Sequence, residues 1–407
     1  MRAVAVIGKN FGDEGKGLAV DHFSRCGGKT LVVRHNGGAQ SGHTVARKTP
    51  FKRTVFHELS SGSIRGADTL WIESFYPDIY KLGEEVCDFR EKFGFCPDIY
   101  GMEDVCITIP DDVLLNMALE SSRGSGRHGS CGMGINECDL RTNAGFGLRL
   151  GQIRGMDAGD LYRALLRIRK GYTACRLQAL GDTLNGEADE YVQLLSNDDV
   201  LINAAYEILA NMKYVKLLTE ADLREKLRSI DTLIFEAGQG LLLDRNNEVF
   251  SPHVTASDTG LKNPCRFMGR IGAALDEVVY VSRTYVTRHG PGPLPNECPR
   301  ELLGHIREDR TNATNAWQGS LRYARHENEE DFVAAIREDM SESSVSGCRI
   351  SLFLTHLNET DGHILMKNEN VPLDVFAGRA PIRDTFDTIY LSASEFSEDT
   401  TVSSPMI

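Results

Sequence analysis

Residues Val4 to Gly17 read VAVIGKNFGDEGKG, an apolar, β-branched run that ends at Gly8 and passes directly into a loop holding Gly12, Gly15 and Gly17. This pattern predicts a buried strand that feeds a glycine-rich turn and then a helix. Glycines let backbone N–H groups converge on phosphate oxygens, the helix that follows contributes its positive end, and Lys16 adds a cation. The loop is not an ordinary Walker A. The spacing GxxxxGK[ST] needs glycine at Asn10 and a hydroxyl at Gly17, where Ser or Thr normally holds Mg²⁺. Asp13, inside the loop, is the carboxylate available for that duty. A bare surface turn has no use for a carboxylate and a lysine between its glycines, so a nucleotide loop is the expected reading.

Four more apolar runs, Thr30 to Val33, Thr232 to Phe235, Val278 to Val281 and Ile350 to Leu354, predict further buried strands. Between them, Asp112 to Glu120, Asp160 to Leu180, Val200 to Met212 and Ala221 to Ile230 space apolar residues three and four apart, as amphipathic helices do. Thr219 followed by Asp222 forms a capping signal before the last of these. Strands alternating with helices imply an α/β fold: one large domain, residues 1–407, with a mainly parallel central sheet flanked by helices. The Ser/Thr-rich, acidic end, 392–407, is expected to be a loose tail.

The 407 residues carry 45 Lys+Arg against 58 Asp+Glu, a formal net charge of −13. Such a surface repels phosphate backbones, which disfavours nucleic acid as a partner. No apolar run approaches the roughly 18 residues of a membrane span, so no membrane partner is expected. The N-terminus lacks the pattern of a signal peptide, and a cytoplasmic location is expected. Ten cysteines include no CxxC pair and no zinc-finger spacing, and the expectation is reduced thiols, mostly buried.

A second glycine-rich segment, VRHNGGAQSGHTV from Val33 to Val45, follows the second strand. Its bare backbone around His43 suits a phosphate held beside an imidazole that serves as catalytic acid. Taken in order, GDEGKG, VRHNGGAQSGHT, FEAGQGLLLD (Phe235 to Asp244), SPHVTASDT (Ser251 to Thr259) and YVTRHGPGPLPNE (Tyr285 to Glu297) resemble the adenylosuccinate synthetase family, the last being similar to the family's TRVGxGPFPTE. That family joins aspartate to C6 of IMP with GTP and Mg²⁺, and works as a homodimer.

The resemblance implies roles residue by residue. Asp13 is the base that takes the proton from N1, and also a Mg²⁺ contact. Lys16 is a phosphate ligand and His43 the acid that stabilises the transferring phosphoryl group, while Gly42 offers its carbonyl to the metal. Gly12, Gly15, Gly17, Asn36, Thr44, Gln239 and Thr255 fall at nucleotide-binding positions.

Several departures bear on substrate. Where the family reads GTTGRGIGP, this chain reads HGSCGMGIN from His128 to Asn136: Ser130 keeps one hydroxyl, Cys131 replaces the second and Met133 replaces the arginine. Phe146 stands where a family arginine reaches the partner subunit's nucleotide, with Arg149 or Arg127 as substitutes. The family's LTKLD, whose aspartate accepts both N–H groups of guanine, reads LTHLN from Leu354 to Asn358. An amide has one acceptor oxygen and an NH₂ that faces guanine donors, so Asn358 favours ATP over GTP. The arginine-rich aspartate loop is replaced by ATNAWQGSLRYAR, in which Thr314, Arg322 and Arg325 are candidates for substrate carboxylates.

These departures resemble the phage branch of the family, 2-aminoadenylosuccinate synthetase, which joins aspartate to dGMP with ATP. Asp13, which many members of that branch lack, keeps the ordinary IMP and GTP reaction as the alternative. Ser130 and Asn136 are the expected acceptors for a 2-amino group. A non-catalytic nucleotide sensor fits less well, since Asp13 and His43 are both present. A GTPase switch lacks its hydroxyl metal ligand and its guanine-reading carboxylate. The expected partners are thus a purine nucleoside monophosphate, ATP or GTP, L-aspartate and a second copy of the chain, with Mg²⁺ as cofactor.

Overall fold

The first strand, β1 (Arg2–Gly8), sits near the middle of a ten-stranded sheet. The others are β2 (Thr30–Arg34), β3 (Asp68–Trp71), β4 (Ile99–Met102), β5 (Val215–Leu218), β6 (Thr232–Gly240), β7 (Glu277–Arg283), β8 (Arg349–Thr355), β9 (Thr388–Leu391) and β10 (Thr401–Ser403), in the order β10-β9-β8-β7-β1-β6-β2-β3-β4-β5. This computed structural model describes residues 1–307 and 319–403. Every pairing in the sheet is parallel except β9 with β10. The α/β reading with a mainly parallel sheet holds, and all five apolar runs are strands of it.

Parallel strands need cover on both faces, and β1 shows how it is met. Ala3, Ala5 and Ile7 point into the larger apolar cluster, while Val4 and Val6 pack with Ala19, Val20 and Phe23 of the helix α1 (Lys16–Ser24) on the other side. Three predicted helices lie within Pro110–Arg123, Ala158–Leu180 and Asp198–Met212, and the fourth, expected to reach Ile230, is Glu220–Leu227. Thr219 caps the last as expected, its hydroxyl accepting from the Asp222 N–H. The helix over 158–180 widens into a π turn at Arg169–Thr173, where the Arg169 guanidinium reaches the Asp111 carboxylate at 2.7 Å.

The C-terminal segment is no loose tail as far as Ser403. β10 pairs with β9, and the acidic residues meet cations: Arg65 binds Glu398 at 2.6 Å and Lys48 binds Asp399 at 2.9 Å. Residues 404–407 lie outside the described part. The cysteines also differ from expectation, since only Cys106 and Cys138 are fully buried while Cys26, Cys87 and Cys175 are exposed.

One buried cluster sets a pH dependence of stability. The Glu85 carboxylate accepts the N–H groups of His57, Glu58 and Leu59 at 2.8–3.1 Å, and the adjacent Glu58 accepts the Asp78 N–H at 2.8 Å with its second oxygen unpartnered. Burial, with Glu85 and Asp78 adding repulsion, raises the Glu58 carboxyl well above its usual range. The unfolded chain therefore ionises Glu58 at lower pH than the folded one, and stability falls as pH rises above the ordinary glutamate pKa. Glu58→Gln keeps the acceptor for Asp78 and removes the charge. Its melting temperature is expected to exceed wild type by a margin that widens between about pH 5 and pH 8; a margin constant with pH would contradict this.

Candidate active site

The carboxyl ends of β8, β7, β1, β6 and β2 lie side by side, and the chain leaves β1 for one side of the sheet before returning through β6 and β7, so a crevice for ligand opens there. The loop after β1 is built for tight approach. Gly12 and Gly15 have φ of +107° and +94°, and a Cβ on Gly17 would lie 3.0 Å from the Thr44 carbonyl and 3.2 Å from the His43 Cβ. That contact seats the His43 segment on the first turn of α1, where the leading amides of a helix lack an intrahelical acceptor and the Leu18 N–H turns back to the Gly15 carbonyl, at 3.1 Å. A Cβ on Gly12 would lie 3.6 Å from the Gln239 Cα and from the Gly240 nitrogen at the end of β6. Two further strand ends grip the loop: Arg283 Nε donates to the Asp13 carbonyl at 2.5 Å and Thr355 Oγ1 to the Glu14 carbonyl at 2.7 Å.

Within the loop, Glu14 accepts the N–H groups of Asn10 and Gly12 at 2.9 and 2.7 Å and so fills part of the anion cradle with its own carboxylate. Lys16, 1% exposed, donates to the Gly12 carbonyl at 2.6 Å and lies 3.3 Å from Glu14. The lysine thus braces the loop. Asp13 is different: its carboxylate accepts no hydrogen bond from the described residues, and the His289 ring stands beside it, with Nε2 3.8 Å from Oδ1. Burial pushes the Asp13 carboxyl upward, against the opposing pull of His289 and Arg283, toward the basicity a proton acceptor needs.

His43 is 5% exposed and its Nδ1 lies 2.5 Å from Oε1 of Glu236, a residue of β6 that also accepts the Ser61 N–H and hydroxyl and stands 3.9 Å from the Arg34 guanidinium. Burial would raise Glu236, but Arg34 and His43 hold it down to about 2. With a carboxylate on Nδ1, that nitrogen carries the proton, and Nε2 is left buried without a partner. Burial lowers the imidazole to about 4 against the pull of Glu236, so the ring is neutral until an anion arrives at Nε2.

Asn36 Nδ2 donates to Gln239 Oε1 at 2.8 Å while its Oδ1 accepts the Gly238 N–H, which leaves the Gln239 Nε2 buried and unpartnered. Gly42 is exposed, beside His57. The loop holding Thr255 is tied in through the Gly37 N–H, which donates to the Ser257 hydroxyl at 3.2 Å.

The segment from His128 to Asn136 approaches from the far side. A Cβ on Gly129 would lie 3.0 Å from the Gly290 Cα, and the His128 carbonyl accepts from His253 Nδ1 at 3.1 Å. Ser130 is committed to its own loop, donating to Asn116 at 2.7 Å and accepting the Gly132 N–H at 3.2 Å. Burial lifts the Cys131 thiol to about 11, which leaves it protonated. Met133 turns into the apolar cluster of Tyr76, Cys106, Ile135 and Cys138. Asn358 is exposed, three residues beyond Thr355, whose hydroxyl holds the Glu14 carbonyl.

The residues proposed for the aspartate carboxylates do not gather in the same way. Arg322 is paired with Glu297 and donates to the Gly290 and Gly292 carbonyls, at the rim of the crevice. Arg325 turns to the Met366 carbonyl and to Asn370, each at 2.9 Å. Thr314 lies outside the described residues. Glu236 and His289 were not anticipated; a carboxylate inside the apolar run TLIFEAGQG, and a histidine where the pattern TRVG has valine, were the available signals.

Comparison with known proteins identifies the family. The family model described as adenylosuccinate synthetase matches residues 5–318. The adenylosuccinate synthetase of Chromohalobacter salexigens is 29% identical over 369 residues, 88% of this chain and 78% of its own. That of Dichelobacter nodosus is 28% identical over 315 residues, 75% and 67% of the two chains. Among solved structures, fully ligated adenylosuccinate synthetase from Plasmodium falciparum superposes with a TM-score of 0.71 at 16% identity, covering 99% of this chain and 100% of that one. Cyanophage S-2L succinoaminodeoxyadenylate synthetase, bound to dGMP and dATP as an energy donor, does so with a TM-score of 0.60 at 14% identity, covering 100% and 96%. The chain belongs to the adenylosuccinate synthetase family, whose members are ligases that form a C–N bond.

Proposed function

We propose that the chain joins L-aspartate to C6 of a guanine nucleoside monophosphate, dGMP or GMP, with ATP as phosphoryl donor, as in the phage branch of the family. The observation that carries the ligase chemistry is the convergence of Asp13, His43 and Gln239 on one phosphate loop at the carboxyl ends of β1, β2 and β6. The lactam oxygen of a 6-oxopurine is a poor leaving group and has to be phosphorylated first. Asp13 takes the proton from N1, O6 attacks the γ-phosphorus and ADP departs. The α-amine of aspartate then adds at C6 and inorganic phosphate leaves.

The buried Nε2 of His43 faces this transfer. A phosphoryl oxygen beside it offsets the burial penalty that keeps the free imidazole neutral, so the proton is taken up as the nucleotide binds and is then shared with the developing charge. The donor set also suits Mg²⁺, which keeps several waters and phosphate oxygens and takes few protein ligands: one carboxylate without a hydrogen bond, Asp13, and the Gly42 carbonyl would hold it. When bound, the ion neutralises charge on the donor phosphates. A homodimer follows from the family; sedimentation showing an active 45 kDa species alone would oppose it.

The choice of donor rests on Asn358. An exposed amide offers the adenine edge one donor and one acceptor, whereas two guanine N–H groups would leave its NH₂ unpaired. ATP is expected to support turnover better than GTP. Asn358→Asp should shift the ratio toward GTP by about 5–150-fold, the equivalent of roughly 1–3 kcal/mol for an unpaired polar group. A wild type that prefers GTP tenfold or more would refute the argument.

The second reading is the ordinary reaction of IMP with GTP, favoured by the retention of Asp13 and by the curated relatives. Phosphate release that requires both aspartate and nucleotide tests the ligase itself. A panel of IMP, dIMP, GMP and dGMP, each with ATP and with GTP, separates the two substrates.

A further inference from the structure

We infer that His289 is the residue that reads the C2 substituent of the purine. The inference rests on the reading above, in which Asp13 acts at N1 of a 2-amino purine. A carboxylate that accepts the N1 proton lies about 2.8 Å from N1. The substituent on C2 is two bonds from N1, on the same edge of the ring. A polar group within a few ångströms of the Asp13 carboxylate is therefore placed to meet whatever C2 carries.

His289 is that group. Its Nε2 lies 3.8 Å from Asp13 Oδ1, and its buried Nδ1 has no hydrogen-bond partner among the described residues. An Nε2–H directed at the carboxylate leaves Nδ1 as an acceptor, the type of atom that a 2-amino group, a donor, requires. Hypoxanthine, with hydrogen at C2, offers it nothing, and the desolvated nitrogen stays unpaired.

The backbone on either side of His289 is also held firmly. Arg288, 2% exposed, donates to the Pro293 and His253 carbonyls and stacks 4.4 Å from the Phe11 ring of the phosphate loop. Gly290, with φ of +80°, packs on Gly129 and has its carbonyl bound by Arg322 at 2.8 Å. Position 289 is thus fixed from both neighbours. The two residues expected to serve this purpose do not: Ser130 spends its hydroxyl on Asn116 and Gly132, and Asn136 is exposed. The family pattern TRVG places an apolar valine where this chain has His289, which is the substitution that a change from hydrogen to amino at C2 calls for.

The test is the ratio of kcat/KM for dGMP to that for IMP, measured with ATP and saturating aspartate for wild type, His289→Val and His289→Asn. Wild type is expected to favour dGMP. His289→Val should lower the ratio by about tenfold or more, as loss of a buried hydrogen-bond partner does. His289→Asn should restore most of it, because the side-chain oxygen of asparagine falls near the position of Nδ1. Loss of packing alone would slow both nucleotides and leave the ratio where it was. Should His289→Val fail to fold, as judged by thermal melting, His289→Ala reads the same ratio. A ratio unchanged in the apolar variants, with wild type still favouring dGMP, would assign the amino group to another acceptor and overturn this inference alone. A wild type that favours IMP would overturn the substrate reading and this inference with it.

Discussion

Replacing Asp13 or His43 by alanine is expected to reduce turnover about 10²–10⁴-fold while nucleotide binding persists, because each acts on charge that appears only during phosphoryl transfer. The structure separates the two from the residues that build the loop. Glu14 and Lys16 are spent on loop amides and the Gly12 carbonyl, so their loss would disturb the fold of the cradle itself. Asp13 makes no such side-chain bond with the described residues, and the His43 Nε2 has no partner. Removing Asp13 therefore costs little before substrate arrives, and removing His43 takes one donor from Glu236, which keeps the Ser61 N–H and hydroxyl and the nearby Arg34. Equilibrium binding of a non-hydrolysable ATP analogue, set beside single-turnover phosphate release, distinguishes the two effects. Turnover within a few-fold of wild type in either variant would rule out the role assigned to that residue.

The parts of this site that were legible in the sequence share a physical cause. Glycines at positive φ and an apolar run before them are demanded by the geometry of a phosphate loop, so VAVIGKNFGDEGKG could be read without neighbours. The five long strands were legible because each is buried on both faces and so is continuously apolar. The short strands β3, β4, β5 and β9, of four residues each, offer too few positions for a period to show. The helix Ile79–Phe93 carried its signal in Ile79, Leu82, Val86 and Phe89 behind the cap Asp78, and was missed.

The end of the chain misled for a different reason. Its acidic, hydroxyl-rich composition matches a solvated tail, but Arg65, Lys48 and Arg53, far away in sequence, supply the opposite charges that pin it. Long-range pairing of that kind leaves no local mark. The same holds for the candidate aspartate ligands. Arg322 could be recognised as an arginine in the right segment, but not that Glu297 stands beside it.

Glu236→Gln is expected to lower kcat about 10²–10³-fold with KM for nucleotide changed much less, although the residue touches no substrate. Its carboxylate does two things at once. It fixes the proton on Nδ1 of His43, which leaves Nε2 facing the transfer, and it stabilises the positive ring that forms when the phosphoryl group arrives. An amide has a single acceptor oxygen, yet the His43 N–H, the Ser61 N–H and the Ser61 hydroxyl all point at this site. One donor must go unpaired or the imidazole must change tautomer, and in either case the charge that supports the imidazolium is gone. The same change leaves Arg34, fully buried 3.9 Å away, without a carboxylate, and an unpaired buried charge costs about 3–5 kcal/mol. The Ser41 hydroxyl, the Leu59 carbonyl and the Phe75 ring soften that cost, so a folded but less stable protein is expected. Kinetics are therefore measured well below the variant's melting temperature. A folded Glu236→Gln enzyme with wild-type kcat would show that His43 needs no carboxylate behind it, and the role of the pair in phosphoryl transfer would fall with that result.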